Sequence, residues 1–170
     1  MNNGTLLYTQ KQIDARVKGM ADEINAVYAG QEVLAVCVLK GAFMFFADLT
    51  RLLNMPLELD FIELKSYGAD TISSGEVTLI RDLSVDVQNK HILIVEDIAD
   101  TGITLKYLTR VLYARGAKSI KTAAFLDKPS RRKTDLKTDF TGFTIPDKYV
   151  VGYGLDLAEK YRNLKAIYCL

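Results

Sequence analysis

The chain has 170 residues, of which 49% are apolar and 25% charged, and its formal net charge is +1. That length fits one domain with a full core, and the mixture excludes disordered and fibrous classes. The near-neutral charge argues against a nucleic-acid partner, which needs a basic excess to displace counterions. Cys37 and Cys169 are the two cysteines. They do not make a disulfide framework, and no CxxC or Cys/His cluster proposes a zinc site. Met1–Thr5 lacks the charged and apolar regions of a signal peptide, and Lys40 and Asp48 interrupt the most apolar stretch. A cytoplasmic protein with no membrane partner is expected.

In chain order, the spacing of Ile13, Val17, Met20 or Ala21, Ile24 and Val27 predicts a helix. Thr9 and Gln12 fit a capping box at its start, and Gly30 a stop. Val33–Leu39 is a continuous apolar run, so it reads as a strand buried on both faces. Lys40-Gly41 ends it, and a helix is expected over Phe43–Leu53. A strand follows over Leu57–Leu64. Lys65–Gly75 is polar and reads as a long loop. Further strands are expected over Glu76–Arg81, His91–Val95, Ser119–Leu126 and Lys148–Val151. Leu105, Leu108, Val111 and Leu112 form a helical stripe closed by Gly116. Ser130–Asp147 reads as irregular. Lys128, Arg131, Arg132, Lys133 and Lys137 cluster in sequence and fit either a solvated loop or an anion-facing one. Alternating strands and helices from Val33 to Leu126 imply an α/β fold with parallel strands and crossover helices.

In such sheets ligands bind beyond the carboxyl ends of the strands. After Val95 the chain reads Glu96-Asp97-Ile98-Ala99-Asp100-Thr101-Gly102-Ile103-Thr104. Three carboxylates come first, expected on the turn that follows the strand. Two hydroxyls, a glycine and a helix start come second. Backbone N–H groups at a helix start attract phosphate, and Gly102 lets the backbone approach closely. Carboxylates accept from sugar hydroxyls and stabilise positive charge on a ribose ring. Together the two halves describe a site for ribose 5-phosphate. A solvated strand end with a helix cap is the plainer alternative. No P-loop pattern is present, and Gly152-Tyr153-Gly154 is in the wrong context for a dinucleotide fingerprint.

Val95–Thr104 resembles the phosphoribosyl pyrophosphate signature of type I phosphoribosyltransferases. Leu39-Lys40-Gly41, Leu64-Lys65-Ser66-Tyr67, Lys128, Ile145–Tyr153, Asp156 and Arg162 narrow the resemblance to the hypoxanthine-guanine family. It covers most of the chain. The resemblance implies one domain over residues 1–170, with a core at about 30–128. A hood would come from the N-terminal residues and the segment at about 129–170. It implies transfer of the phosphoribosyl group to purine N9, in purine salvage.

The resemblance places Glu96 and Asp97 on the ribose hydroxyls and Asp100 near purine N7 as general base and acid. Asp100, Thr101, Gly102, Ile103 and Thr104 would hold the 5′-phosphate. Ile103 departs from relatives with Lys, which is tolerable if backbone N–H groups do the binding. Lys40, Gly41 and Arg162 would bind pyrophosphate, with a cis peptide bond before the glycine. Lys128, Tyr149, Val150 and Asp156 would meet the base, and Ser66-Tyr67 would tip a lid. Mg2+ is implied, with Asp156, Glu96 and Asp97 as ligands, and so is a homodimer or homotetramer. On the residues alone, Asp100 could cap its loop and Lys40 could lie in solvent. Lys128 could be one loop cation among many, Tyr149 a core aromatic, and Ser66-Tyr67 plain surface loop. A phosphoribosyltransferase for another base such as xanthine, a nucleic-acid-binding regulator and a purely structural domain are the competing readings.

Overall fold

The computed structural model describes residues 4–66 and 77–170. In chain order its elements are β1 (Thr5–Tyr8), α1 (Gln10–Val27), β2 (Val33–Leu39), α2 (Phe43–Thr50), β3 (Leu57–Ser66), β4 (Val77–Arg81), β5 (His91–Ala99), α3 (Ile103–Ala114), β6 (Ser119–Asp127), β7 (Phe140–Thr144), β8 (Val150–Val151) and β9 (Ile167–Cys169). The main sheet has the order β4-β3-β2-β5-β6-β7. Only β4 runs antiparallel to its neighbour; the other pairings are parallel. A second, antiparallel sheet has the order β1-β9-β8.

The sequence of the central strands explains the layering. Val33, Ala35, Cys37, Leu93 and Val95 point to one face, where they pack with Met20 and Ile24 of α1 and Phe45 and Leu49 of α2. Leu34, Val36, Val38, Ile92 and Ile94 point to the other, against Leu105, Leu108 and Leu112 of α3. A strand covered on both faces is apolar at every position, which is why β2 shows no alternation. The capping box forms as expected: Gln12 N–H donates to Thr9 Oγ1, and Thr9 N–H to Gln12 Oε1.

Several boundaries differ from expectation. The helix from Phe43 stops at Thr50, and β3 runs on to Ser66. β5 continues through Glu96–Ala99, because β6 supplies partners for those residues. Ser130–Asp147 contains β7, whose Gly142 and threonines resemble loop punctuation until β6 provides a ladder. The last expected strand shrinks to Val150–Val151. β1 and β9 are short strands from opposite ends of the chain that pair with each other, so no local periodicity announces them. Among the described residues, no helix is long and apolar enough to cross a membrane.

One buried acid ties β3 to the chain leading into β5. Asp60 is only 3% exposed. It accepts N–H bonds from Phe61, Ser84 and Val85 at 2.8, 2.7 and 3.1 Å, and the Ser84 hydroxyl at 3.0 Å. Burial alone would raise its pKa, but these donors outweigh burial and leave it below the ordinary value. A depressed folded pKa means the stabilisation is present above the unfolded carboxyl range and is lost as pH falls through the folded value. Asp60→Asn is therefore expected to cost about 2 kcal/mol at neutral pH, because it weakens charge-assisted bonds at a buried site. Urea titrations should show the gap from the parent protein narrowing as the pH is lowered into the acid range.

Candidate active site

Parallel strands place their carboxyl ends along one edge of the sheet. At that edge β2 delivers Lys40-Gly41, β5 delivers Glu96–Gly102 and β6 delivers Lys128. Glu96 and Asp97 lie within β5, not on a turn after it. Glu96 is 8% exposed. Burial, then the neighbouring Asp97 charge, raises its pKa well above the ordinary value. Burial raises Asp97 as well, opposed by its hydrogen bonds and by Arg162. Cys37 lies under the pair on β2, and its thiol is pushed up to about 12 by burial and then by the charges of Glu96 and Asp97. The result is a pair of adjacent carboxyls at the end of an apolar strand, where burial disfavours ionisation and Arg162 partly offsets it at Asp97.

The β2 loop closes directly on this pair. A Cβ built on Gly41 would stand 1.6 Å from Asp97 Oδ2, so only glycine fits against that carboxylate. The cis peptide bond is Leu39–Lys40, one bond earlier than expected. Lys40 Nζ reaches Glu159 Oε1 at 3.3 Å. Arg162 donates to the Gly154 carbonyl at 2.9 Å, and its Nη2 lies 2.9 Å from Asp156 Oδ1 and 3.1 Å from Glu159 Oε2.

Past β5 the chain turns at Asp100–Gly102 into α3, whose first residues are Ile103 and Thr104. Gly102 has φ +79°, and a Cβ there would meet Thr134 Oγ1 at 2.4 Å and Arg132 Cδ at 2.9 Å. The glycine is thus required by the left-handed backbone and by side chains packed behind the loop. Asp100 Oδ1 is buried and makes no hydrogen bond, although Arg131 Nε lies 3.1 Å away as an ion-pair neighbour. Thr101 accepts the Lys133 N–H through its carbonyl at 2.9 Å.

Lys128 is 6% exposed, and its N–H donates to the Ala99 carbonyl at 3.0 Å. Its ammonium is 4.0 Å from Asp147 Oδ1. It is a buried cation at the strand ends, not a solvated loop residue. Tyr149 is 54% exposed, which excludes the core-aromatic alternative, and its hydroxyl donates to the Asp156 carbonyl at 3.0 Å. Val150 is buried in β8. Ser66 ends β3, and Tyr67 lies outside the described residues.

The basic run after Lys128 divides by contact. Arg132 donates to the carbonyls of Ala99 and Leu136 and pairs with Asp127, so it braces the ends of β5 and β6. Arg131 faces Asp100 and Asp147. The placement of Arg131, Arg132 and Glu159 beside candidate site residues was not foreseen from the sequence. The run of cations after Lys128 was a signal for the first two; nothing in the local pattern pointed to Glu159. Among the described residues, no three His, Cys, Asp or Glu side chains converge into a metal cage.

A family model described as the phosphoribosyl transferase domain matches residues 5–158. The chain is 50% identical over 162 residues to the hypoxanthine-guanine phosphoribosyltransferase of Bacillus subtilis, covering 95% of this chain and 90% of that protein. Among solved structures, a hypoxanthine phosphoribosyltransferase from Staphylococcus aureus matches with a TM-score of 0.93 and 42% identity, covering 97% and 90% of the two chains. A hypoxanthine-guanine phosphoribosyltransferase from Bacillus anthracis, with HEPES in the active site, matches with the same TM-score and identity and covers 97% of both. With its mostly parallel sheet, flanking helices and acid-then-glycine loop at the strand ends, the chain belongs to the phosphoribosyltransferase family.

Proposed function

We propose that this protein transfers the 5-phosphoribosyl group from phosphoribosyl pyrophosphate to N9 of hypoxanthine and guanine, releasing pyrophosphate in purine salvage. The observation that carries the reading is the meeting of three elements at one edge: the buried Glu96/Asp97 pair, the Lys40-Gly41 loop packed on Asp97, and the Gly102 turn into α3. Glu96 and Asp97 accept from the ribose hydroxyls and favour an oxocarbenium-like transition state. Asp100–Thr104 offers the turn amides and hydroxyls for the 5′-phosphate. Lys40, Gly41 and Arg162 take the pyrophosphate. The exposed Tyr149 ring stacks on the purine beside Val150 and Asp156, and the buried Lys128 ammonium donates to the oxygen on C6.

The hard oxygen donors Glu96, Asp97 and Asp156 suit Mg2+, which usually takes one or two carboxylates together with phosphate oxygens. The adjacent Glu96 and Asp97 carboxyls at the carboxyl end of β5 are what support a cation there. When bound, Mg2+ would neutralise charge on the departing pyrophosphate. The two free cysteines fit a cytoplasmic protein. Exposed apolar side chains such as Leu52, Leu59 and Ile80 fit assembly into a homodimer or homotetramer.

Incubation with phosphoribosyl pyrophosphate, Mg2+ and one purine base at a time tests the reading. Hypoxanthine and guanine are expected to yield nucleotide. Adenine should give at least ~100-fold less, because its amino donor would face the Lys128 donor. Equal rates with adenine would remove Lys128 from the base site, and nucleotide from xanthine alone would transfer the activity to that base.

A further inference from the structure

The two cations assigned to pyrophosphate share one carboxylate. Lys40 Nζ is 3.3 Å from Glu159 Oε1, and Arg162 Nη2 is 3.1 Å from Glu159 Oε2. Each oxygen of a single carboxylate therefore faces one cation from each side of the subsite. Resting on the assignment of Lys40 and Arg162 above, we propose that Glu159 is an internal stand-in for pyrophosphate, which the ligand displaces on binding and which returns as it leaves.

The acceptors gathered around Arg162 Nη2 support displacement. Arg162 Nη2 has two N–H groups. Two carboxylates already stand beside it, Asp156 at 2.9 Å and Glu159 at 3.1 Å. Arg162 Nη1 donates to the Gly154 carbonyl, and Nε is buried with no partner. Arg162 Nη2 donates a hydrogen bond to Glu159 and has Asp156 beside it as an ion-pair neighbour, so a phosphate oxygen approaching Nη2 competes with Glu159. Asp156 is the less free of the two, with a side chain 30% exposed, and its Oδ2 accepts the Glu159 N–H at 2.9 Å. The Glu159 side chain is 65% exposed, so it can swing into water at little cost.

The backbone holds the carboxylate over the subsite. Ala158 and Glu159 have φ of +51° and +63°, a left-handed conformation that residues other than glycine seldom adopt. The Asp156 bond to Glu159 N–H and the paired Leu157–Lys160 bonds close this turn. A surface glutamate needs no such turn to be solvated, so the constrained backbone supports a specific placement. In the free protein Glu159 balances charge around Lys40 and Arg162. Against bound pyrophosphate it acts as a competing anion and weakens the grip on a product that has to leave.

The test is calorimetric titration of the full chain with pyrophosphate in excess Mg2+ at fixed ionic strength. Glu159→Gln and Glu159→Ala are expected to bind pyrophosphate about 3- to 10-fold more tightly, the scale of two exposed ion pairs removed. Hypoxanthine affinity in the presence of pyrophosphate should not change. Lys40→Gln and Arg162→Lys are run beside them and should each weaken binding. Weaker or unchanged binding in both Glu159 variants would overturn the proposal and make Glu159 an orienting or idle residue. If the Lys40 and Arg162 variants bind as the parent does, the pyrophosphate assignment itself fails and the proposal falls with it. Tightening by Glu159→Ala but not Glu159→Gln would also sink it, because a charge competitor must lose its effect in both.

Discussion

Asp100→Ala is expected to lower turnover by about 10²- to 10⁴-fold, the usual scale for removing a general acid–base group. The dissociation constant for phosphoribosyl pyrophosphate should change by less than about 10-fold, because in the proposed reading backbone amides of the same loop would carry the phosphate. The geometry supports this division. Asp100 follows β5 directly, at the turn where the strand gives way to α3. Its Oδ1 is buried and accepts no hydrogen bond, with Arg131 Nε 3.1 Å away as an ion-pair neighbour, so no backbone cap occupies it. A loop-capping aspartate would spend that oxygen on a backbone N–H, as Asp60 does with Phe61, Ser84 and Val85. Asp100→Asn keeps the shape and removes the basicity, so it should lose turnover nearly as far as alanine does. Rapid-quench turnover beside equilibrium binding of phosphoribosyl pyrophosphate separates the two roles. Parallel loss of both quantities in the two variants would make Asp100 structural.

The parts of the fold legible in the sequence are those whose signal is local. The length and valines of the continuous apolar run Val33–Leu39 favour a strand covered on both faces, and it sits at the centre of the sheet. Thr9 and Gln12 announced the start of α1, since a capping box is completed within four residues. The acid-then-glycine segment after Val95 stands out by composition, and it does lie where β5 gives way to α3. The parts that were illegible depend on partners far along the chain. β1 exists because Cys169 and Tyr168 lie beside Thr5 and Leu6. The carboxylates of Glu96 and Asp97 are in a strand because Ala124, Leu126 and Asp127 extend the ladder past Val95. Arg132 looked like one more loop cation, and only the fold brings it under the Ala99 carbonyl and against Gly102. Glu159 carried no signal, because its significance is the simultaneous nearness of Lys40 and Arg162.

Gly41→Ala is the smallest substitution expected to abolish the site while sparing the fold. The added methyl would lie 1.6 Å from Asp97 Oδ2 and 2.6 Å from Asp97 Cγ, far inside any tolerable contact. Relief requires either the Asp97 carboxylate or the β2 loop to move by an ångström or more. The loop has little room to retreat, because the Gly41 carbonyl is itself packed against Gly154. A Cβ built there would stand 2.0 Å from that oxygen. Gly154 is fixed in turn by a φ of +100°, by the Arg162 bond to its carbonyl and by its own N–H bond to the Arg162 carbonyl at 2.9 Å. Asp97 is therefore the group that yields, and it swings off the position from which it would meet the ribose. A displacement of that size costs at least ~100-fold in kcat/KM for phosphoribosyl pyrophosphate. The core layers of α1, α2 and α3 lie away from this contact, so the thermal midpoint should stay within a few degrees, about 1 kcal/mol in stability. Near-parent activity in Gly41→Ala would mean the loop moves freely between Asp97 and Gly154. In that case the close packing at this edge would not be what holds the ribose and pyrophosphate halves of the site in register.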